Sequence, residues 1–392
     1  MTSISELLLA NIDSITENYA VNIGEPSKAI VNLRDELLAK GETIHPFHKG
    51  SLISEKSLVA IDGGRVTQKL AGGDLIIVGA TVGEGYQSKQ LFFDSDDIPA
   101  EAYSAVLPHT SANQNVEAAV MAALELRLFQ KVKADVKIID GAYLGNVSQV
   151  LFTLIGSSQS SSDLVLSLNN FDEDGLLKEA IKSILQPSRH DKKDYVAIAK
   201  SDSSFVFSKE LLGKDSELAK QISDRILASR LLHSGEVLQP RALASNPNLI
   251  NSLERFYKTD YRKNSINAKL LTEFISEQAG FLRRLDDDRT EEKVLYSTYF
   301  KPSAWDDYAP AINIQFVHFR EYGMTVLERA QELISYIDQD ILQESMLEPW
   351  SQYNADLRAK DVSNGANLVK EYLIASATTQ HELTGLLRGY RS

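Results

Sequence analysis

The stretch SLVAIDGGR, residues 57–65, is an apolar run that stops at Asp62 and is followed by two glycines. The pattern returns in VKIIDGAYLG, residues 136–145, where the run stops at Asp140. Both runs predict buried β-strands. A carboxylate at the end of a core strand costs desolvation free energy unless a cation is bound there. The pair therefore indicates a cation site, although Asp-Gly is also a common turn signal.

The order of elements around these runs predicts an α/β fold, a mixed sheet flanked by helices. The strand that ends at Asp62 opens an antiparallel meander, a helix follows at 115–134, and the next strand ends at Asp140. The other predicted elements are helices at 3–20, 26–40, 172–185, 324–343 and 362–389, and strands at 74–83, 89–94, 194–208 (one strand or a hairpin), 293–302 and 311–321.

The chain is predicted to divide into N-terminal helices at 1–54 and one larger domain at 55–392, which includes a charged helical insertion without strands at 209–290. The first helix carries apolar residues over a wide arc, which is typical of a helix that docks on another subunit. The segment 1–54 is therefore a candidate contact for a partner or a second copy.

Composition limits the possible functions. The 392 residues include no cysteine, which excludes disulfides and thiolate metal sites and fits a cytoplasmic protein. The sequence has no run of eighteen apolar residues, so it predicts no membrane span. The formal charge of −13 argues against bulk attraction to nucleic acid, so an enzyme acting on DNA would need a local basic surface or a partner to deliver it.

Three carboxylates form the predicted metal site. Asp62 and Asp140 end neighbouring strands, and Glu117 lies near the start of the helix between them, with Glu125 on the same helix as the rival ligand. Carboxylate oxygens are the ligands that Mg²⁺ and Mn²⁺ prefer. One or two such ions activate water for the hydrolysis of a phosphodiester. The pattern therefore predicts a metal-dependent phosphodiester hydrolase.

The order of these blocks is similar to that of the ribonuclease H-like fold, and TSANQNVEAAVMAALE, residues 110–125, resembles the lead into the catalytic Glu of ribonuclease H enzymes. VAIDGGR and IIDGAYLG resemble the Asp-Gly-Ser blocks of the NurA nuclease family, over roughly residues 55–365. YVAIAKSDSS, residues 195–204, fits that family's strand ending in Lys-Ser. The resemblance implies a DNA-end nuclease using Mn²⁺ or Mg²⁺, with Lys200 near the scissile phosphate, which forms a homodimer on a HerA-type hexameric ATPase.

The sequence departs from the family at several positions. Gly64 and Ala142 stand where Ser is usual. EPWSQYNADLRAKDVS, residues 348–363, aligns with the C-terminal block and puts Asp356 where the family has a His ligand, with Asp361 as a nearby alternative. The resemblance thus implies that the fourth ligand is a carboxylate, which suits Mg²⁺ or Mn²⁺.

ERFYKTDYRKN, residues 254–264, alternates cations with aromatic rings, the combination that binds phosphates and stacks bases along a single strand. The candidate contacts are Arg255, Tyr257, Lys258, Arg262 and Lys263. An amphipathic helix that packs its aromatics inward explains the same pattern.

The expected function is a metal-dependent DNA nuclease that acts on DNA ends in repair or antiphage defence. Two alternatives stay open: a catalytically inactive ribonuclease H-like scaffold that binds a partner or nucleic acid, and a nuclease that acts on RNA.

Overall fold

The computed structural model describes residues 30–47, 56–86, 99–111, 113–157, 175–185, 194–199, 204–243, 293–319, 323–342 and 346–377. The strands in these ranges are β1 (Ile44–Pro46), β2 (Leu58–Leu70), β3 (Gly73–Glu84), β4 (Ala100–Leu107), β5 (Val136–Asp140), β6 (Asp194–Ala199), β7 (Glu236–Leu238), β8 (Arg241–Ala242), β9 (Lys293–Lys301) and β10 (Ile312–Phe319). The helices are α1 (residues 30–40), α2 (Asn113–Lys131), α3 (Gly145–Ser157), α4 (Leu176–Leu185), α5 (Val206–Leu211), α6 (Glu217–Gln221), α7 (Asp224–Leu231), α8 (Val326–Gln339), α9 (Trp350–Ala359) and α10 (Asp361–Ala377).

The strands form one mixed sheet in the order β1-β7-β9-β10-β6-β5-β2-β3-β4, with β8 paired to β9. The pairs β2·β5 and β5·β6 are parallel, and the other pairs are antiparallel. The stretch β4-β3-β2-β5-β6 therefore combines an antiparallel meander with two parallel strands. This arrangement confirms the predicted α/β, ribonuclease H-like mixed sheet flanked by helices.

Helices cover both faces of the sheet, and the alternation of side chains along β2 assigns each residue to one of them. Val59 and Ile61 of β2 point into the core beneath α2 and α4, whereas Ala60 points into the core beneath α8. Asp62 therefore belongs to the face of α8. The first core also contains Val120, Leu124, Ile139 and Ile181, and the second contains Ile138, Ile314, Phe316, Leu333 and Ile337.

Helix α9 lies against the backbone of β2 and β3 on the same face as α8. A Cβ atom added at Gly83 would lie 2.6 Å from the backbone nitrogen of Ala355, and one added at Gly64 would lie 2.8 Å from the carbonyl carbon of Ala359. Both distances are shorter than van der Waals contact, so any side chain at Gly64 or Gly83 would push the helix outward. These glycines thus allow α9 to approach the sheet closely.

Several sequence predictions need correction. Residues 209–290 are wrongly predicted to lack strands, because β7 and β8 lie in the described part and join the sheet. Strands this short carry too few residues for a periodic signal. The 194–208 segment is not a hairpin, since β6 ends at Ala199 and α5 begins at Val206.

Three further elements were not predicted from the sequence: β1, β4 and α3. The strand predicted at 89–94 and the helix predicted at 3–20 lie outside the described residues. The domain division at residues 54 and 55 stays a prediction. In the described part of the chain, no helix is both long and apolar enough to span a membrane.

Candidate metal centre

Strand register brings Asp62 and Asp140 side by side. The parallel pairing of β2 with β5 runs to Ile61 opposite Ile139, so the next residue on each strand is an aspartate. β5 ends at Asp140, and Gly141 turns the chain away with φ +97°, a conformation that favours glycine. The two carboxylates therefore lie at the carboxyl end of the parallel strands, as the sequence predicts.

Asp62 does not end its strand, and this part of the prediction is wrong. β2 continues to Leu70, and Asp62 is paired with Thr81 of β3. The glycines after Asp62 are strand residues rather than turn residues. Glycine is needed at both positions because helices occupy the space where a side chain would lie. The Asp62 side chain is buried, and its Oδ1 atom accepts a hydrogen bond of 2.8 Å from the Gly63 N–H.

Glu125 of α2 supplies the third carboxylate. It lies over Gly63 from the other face of the sheet, where a Cβ atom would overlap its carboxylate. Burial raises the pKa of the Glu125 carboxyl to about 8, the charges of Asp62 and Asp140 act in the same direction, and a hydrogen bond from Asn146 acts against them. Three acids are therefore close enough for one of them to hold its proton near neutral pH.

Glu117, the predicted third ligand, is not brought to the aspartates. It lies eight residues before Glu125 on α2, which is about 12 Å along a helix. Its Oε2 atom lies 4.0 Å from Nη1 of Arg65 instead. The structure thus favours Glu125, the rival on the same helix, because the missing side chain of Gly63 opens the sheet at that turn.

Helix α9 reaches the site through Gln352. The Nε2 atom of Gln352 donates a hydrogen bond of 2.6 Å to Oδ1 of Asp140, and the glutamine side chain is fully buried. Asp356 lies one turn further along the same helix face. Its carboxylate is partly exposed and accepts a hydrogen bond of 2.6 Å from Lys360.

The packing of α9 sets the level of Asp356 along the sheet. The helix contacts Gly83, which pairs with Ala60, through the backbone of Ser351 and Ala355, and it contacts Gly64 through the backbone of Ala359. Asp62 lies midway between Ala60 and Gly64 along β2, so the middle of α9 crosses the sheet close to Asp62. Asp361, the alternative to Asp356, is exposed at the start of α10, where Asn364 donates to it.

The remaining predicted residues lie outside the described part of the chain. They are Lys200, immediately after β6, and the candidate nucleic-acid contacts Arg255, Tyr257, Lys258, Arg262 and Lys263.

The donors at this site suit a hard divalent cation. Asp62, Glu125 and Asp140 offer carboxylate oxygens, and the Oε1 atom of Gln352 is buried without a hydrogen-bond partner among the described residues. In the same residues, no three His, Asp or Glu side chains already surround one point closely enough to hold an ion. The residues therefore fit a metal by their chemistry, and binding requires the carboxylates to draw together.

Sequence reasoning missed Asn146 and Gln352. Asn146 donates a hydrogen bond of 2.5 Å to Oε2 of Glu125. Asn146 follows Asp140 by six residues, immediately after the block 136–145, which is a usable signal. Gln352 lies in the block 348–363, and nothing in its local sequence marks it as a contact of Asp140.

Comparisons with known proteins bear on the fold. No protein-family model and no curated protein matches the chain in sequence. The crystal structure of the NurA nuclease from Sulfolobus solfataricus is similar with a TM-score of 0.52 and 16% identity, over 93% of this chain and 98% of that one. A crystal structure of NurA with manganese is similar with a TM-score of 0.52 and 12% identity, over 95% of this chain and 98% of that one. The chain therefore has a NurA-like fold.

Proposed function

We propose that this protein is a metal-dependent DNA nuclease. The observation that carries the proposal is the grouping of Asp62, Glu125 and Asp140 at the carboxyl end of the parallel strands, where Glu125 has a pKa of about 8. Grouped carboxylates that repel one another in a buried position are stabilised by a cation. The NurA-like fold supports the same assignment, because the similar structures include a nuclease and a manganese-bound protein.

The ligands would be Asp62, Glu125 and Asp140, with Asp356 as the fourth carboxylate, and the ion Mn²⁺ or Mg²⁺. A bound ion supplies an activated water and stabilises the leaving oxygen of the phosphodiester. The protein holds Asp62 through the Gly63 N–H and holds Glu125 through Asn146. Glu125 gives up its proton when the site is loaded, because only the ionised form is a ligand.

Other residues would handle the substrate. Lys200, one residue beyond β6, would contact the scissile phosphate as a point charge. Arg65 lies on the same strand as Asp62, and its partly exposed guanidinium would contact the phosphates of the substrate. Glu117 and the carbonyl oxygen of Gln114 hold the Arg65 side chain in place. The segment 254–264 would bind the strand leading to the site with its cations and aromatic rings.

The formal charge of −13 means that a local basic surface or a partner must bring the DNA to the site. A HerA-type hexameric ATPase in the cytoplasm would supply that delivery, with this protein bound to it as a homodimer. The physiological role would be the processing of DNA ends in repair or antiphage defence.

A catalytically inactive scaffold is the second candidate. It is favoured by Gly64 and Ala142 in place of serines and by the lack of a closed ligand cluster in the described residues. Thermal unfolding with and without Mn²⁺ separates the two candidates. A nuclease gains about 2.7 kcal/mol of stability at an ion concentration one hundred times its Kd. A scaffold that has lost the site gains none.

Cleavage of matched DNA and RNA strands tests the substrate. The purified protein is incubated with each strand and Mn²⁺, alone and with a HerA-type hexameric ATPase. We expect metal-dependent cleavage of DNA and little cleavage of RNA. Preferential cleavage of RNA would overturn the assignment of DNA as substrate.

A further inference from the structure

Two neutral amides hold two of the three carboxylates at the site. Asn146, in the first turn of α3, donates to Oε2 of Glu125 at 2.5 Å. Gln352, in the first turn of α9, donates to Oδ1 of Asp140 at 2.6 Å. The two helices lie on opposite faces of the sheet, so the amides approach the site from both sides.

Other acids in the described residues are held either by neutral donors, as Asp338 and Asp340 are by backbone N–H groups, or by cations. These ion pairs are Arg34–Glu236, Arg127–Glu101 and Arg329–Asp194. A cation neutralises a carboxylate and competes with a metal for it. An amide satisfies one oxygen and leaves the negative charge in place. Among the described residues, the hydrogen-bond donors to Glu125 are Asn146 and the Gly63 N–H, both neutral.

The position of Gln352 is fixed by the packing of α9. Asp340 accepts a hydrogen bond of 2.8 Å from the Ser351 N–H at the start of the helix. The backbone of Ala355, three residues beyond Gln352, lies against Gly83 with no room for a side chain between them. The amide of Gln352 therefore has little freedom to leave Asp140.

The Oε1 atom of Gln352 gives a second, independent observation. It is buried and has no hydrogen-bond partner among the described residues. A buried acceptor without a hydrogen bond has lost its hydration with nothing to offset the loss. A hydrogen bond from a bound ligand, or from a water that accompanies the ligand, would satisfy this atom. The side chain that orients Asp140 thus also offers an acceptor beside the site.

We propose that Asn146 and Gln352 are positioning residues that set the affinity of this site for its divalent ion. This inference rests on the proposed function. Each amide holds one oxygen of a carboxylate by a hydrogen bond, so the carboxylate is oriented before the ion arrives. Partners that orient metal-binding side chains in this way typically contribute 10- to 100-fold to affinity.

The test measures Mn²⁺ binding to the full-length protein by calorimetry and by the electron paramagnetic resonance signal of free Mn²⁺. Gln352→Met and Asn146→Leu remove each amide at nearly constant volume. Gln339→Met is the matched control, since Gln339 is another buried glutamine, on α8 and away from the three carboxylates. Circular dichroism and the thermal midpoint check that each variant is folded.

We expect the Kd for Mn²⁺ to rise about 10- to 100-fold in both amide variants and to stay within about twofold of wild type in the control. Because the amides lie on different helices and different faces, Asn146→Leu tests the inference even if Gln352→Met does not fold. Wild-type affinity in the folded amide variants would overturn it, and so would an equal loss in Gln339→Met. If the folded wild-type protein binds no Mn²⁺, the proposed function itself fails.

Discussion

Gly63 of β2 lies directly beneath the side chain of Glu125, with no space for a methyl group between them. A Cβ atom at Gly63 would overlap the Glu125 carboxylate and would lie 2.5 Å from the Cγ atom of Met121. The glycine therefore lets a carboxylate from one face of the sheet reach the aspartates that the strands present.

Gly63→Ala is expected to displace Glu125 from the site. Overpacking of this kind destabilises a protein by about 1–3 kcal/mol. We expect this loss in urea unfolding, together with a weaker Kd for Mn²⁺. Gly365→Ala is the matched control, because Gly365 lies in α10 with no atom within 4 Å of its added Cβ. That change is expected to stabilise the protein by up to about 1 kcal/mol. Unchanged Mn²⁺ affinity in Gly63→Ala would contradict this role.

Glu125→Gln is expected to change how stability depends on pH in metal-free protein. The pKa of Glu125 is about 8 in the folded state against 4.5 for an ordinary glutamate, so the folded state holds an extra proton between these values. Its contribution to stability is complete below about pH 4.5 and is lost as the pH rises through about 8. Wild type should therefore lose up to about 1.4 kcal/mol per pH unit relative to the variant between about pH 6 and 8.

This pH dependence is measured by urea unfolding of both proteins in a chelating buffer. Saturating Mn²⁺ should weaken or reverse the loss for wild type, since the ion binds the ionised carboxylate. Parallel stability curves for wild type and variant would show that Glu125 is ionised throughout and would contradict the grouping of the three acids.

Glu117→Gln and Glu125→Gln together decide which glutamate is the ligand. Glu125 lies beside the aspartates, whereas Glu117 lies beside Arg65. We expect Glu125→Gln to abolish measurable Mn²⁺ binding. Glu117→Gln should keep the Kd for Mn²⁺ within about threefold of wild type, a smaller change than the loss of a residue that orients a ligand causes. Calorimetric titration of both variants with Mn²⁺ provides the comparison. The reverse ranking would restore Glu117 as the ligand.

The sequence was sufficient to predict the mixed sheet and the pairing of two aspartates. Continuous apolar runs before Asp62 and Asp140 marked two buried strands, and the helix between them implied a parallel crossover. The sequence wrongly predicted that the strand ends at Asp62, because two glycines after an apolar run resemble a turn. They belong to a strand whose glycines make room for Glu125 on one face and α9 on the other.

The choice between Glu117 and Glu125 could not be made from the sequence. Both are buried on α2 and lie about two turns apart. Only the register of the helix over Gly63 distinguishes them, and that register depends on tertiary packing. Gln352 was also beyond prediction, because its contact with Asp140 joins residues 212 positions apart.

Asp340→Ala is expected to loosen α9 and with it the metal site. Asp340 is buried and accepts hydrogen bonds from the Ser351 N–H at 2.8 Å and the Tyr86 N–H at 2.7 Å. Leaving both donors unsatisfied should cost about 2–4 kcal/mol in urea unfolding. The Kd for Mn²⁺ should rise as well, since α9 carries Gln352.

Asp338→Ala is the control for that change. Asp338 is also buried and accepts a hydrogen bond of 2.8 Å from the Ser303 N–H, away from α9. It should reduce stability to a similar extent while Mn²⁺ affinity stays near the wild-type value. An equal loss of Mn²⁺ affinity in both variants would mean that general destabilisation, rather than α9, controls the site.

The most direct test of the account is digestion of a linear DNA by the purified protein with Mn²⁺, alone and with the proposed HerA-type hexameric ATPase, beside a folded Asp62→Asn variant. Asp62 is central because its carboxylate is held beside Glu125 and Asp140. We predict cleavage by wild type that requires the metal, and a loss of at least about 100-fold in the variant. Equal cleavage by wild type and Asp62→Asn, or none by wild type under either condition, would contradict a metal-dependent nuclease built on these three carboxylates.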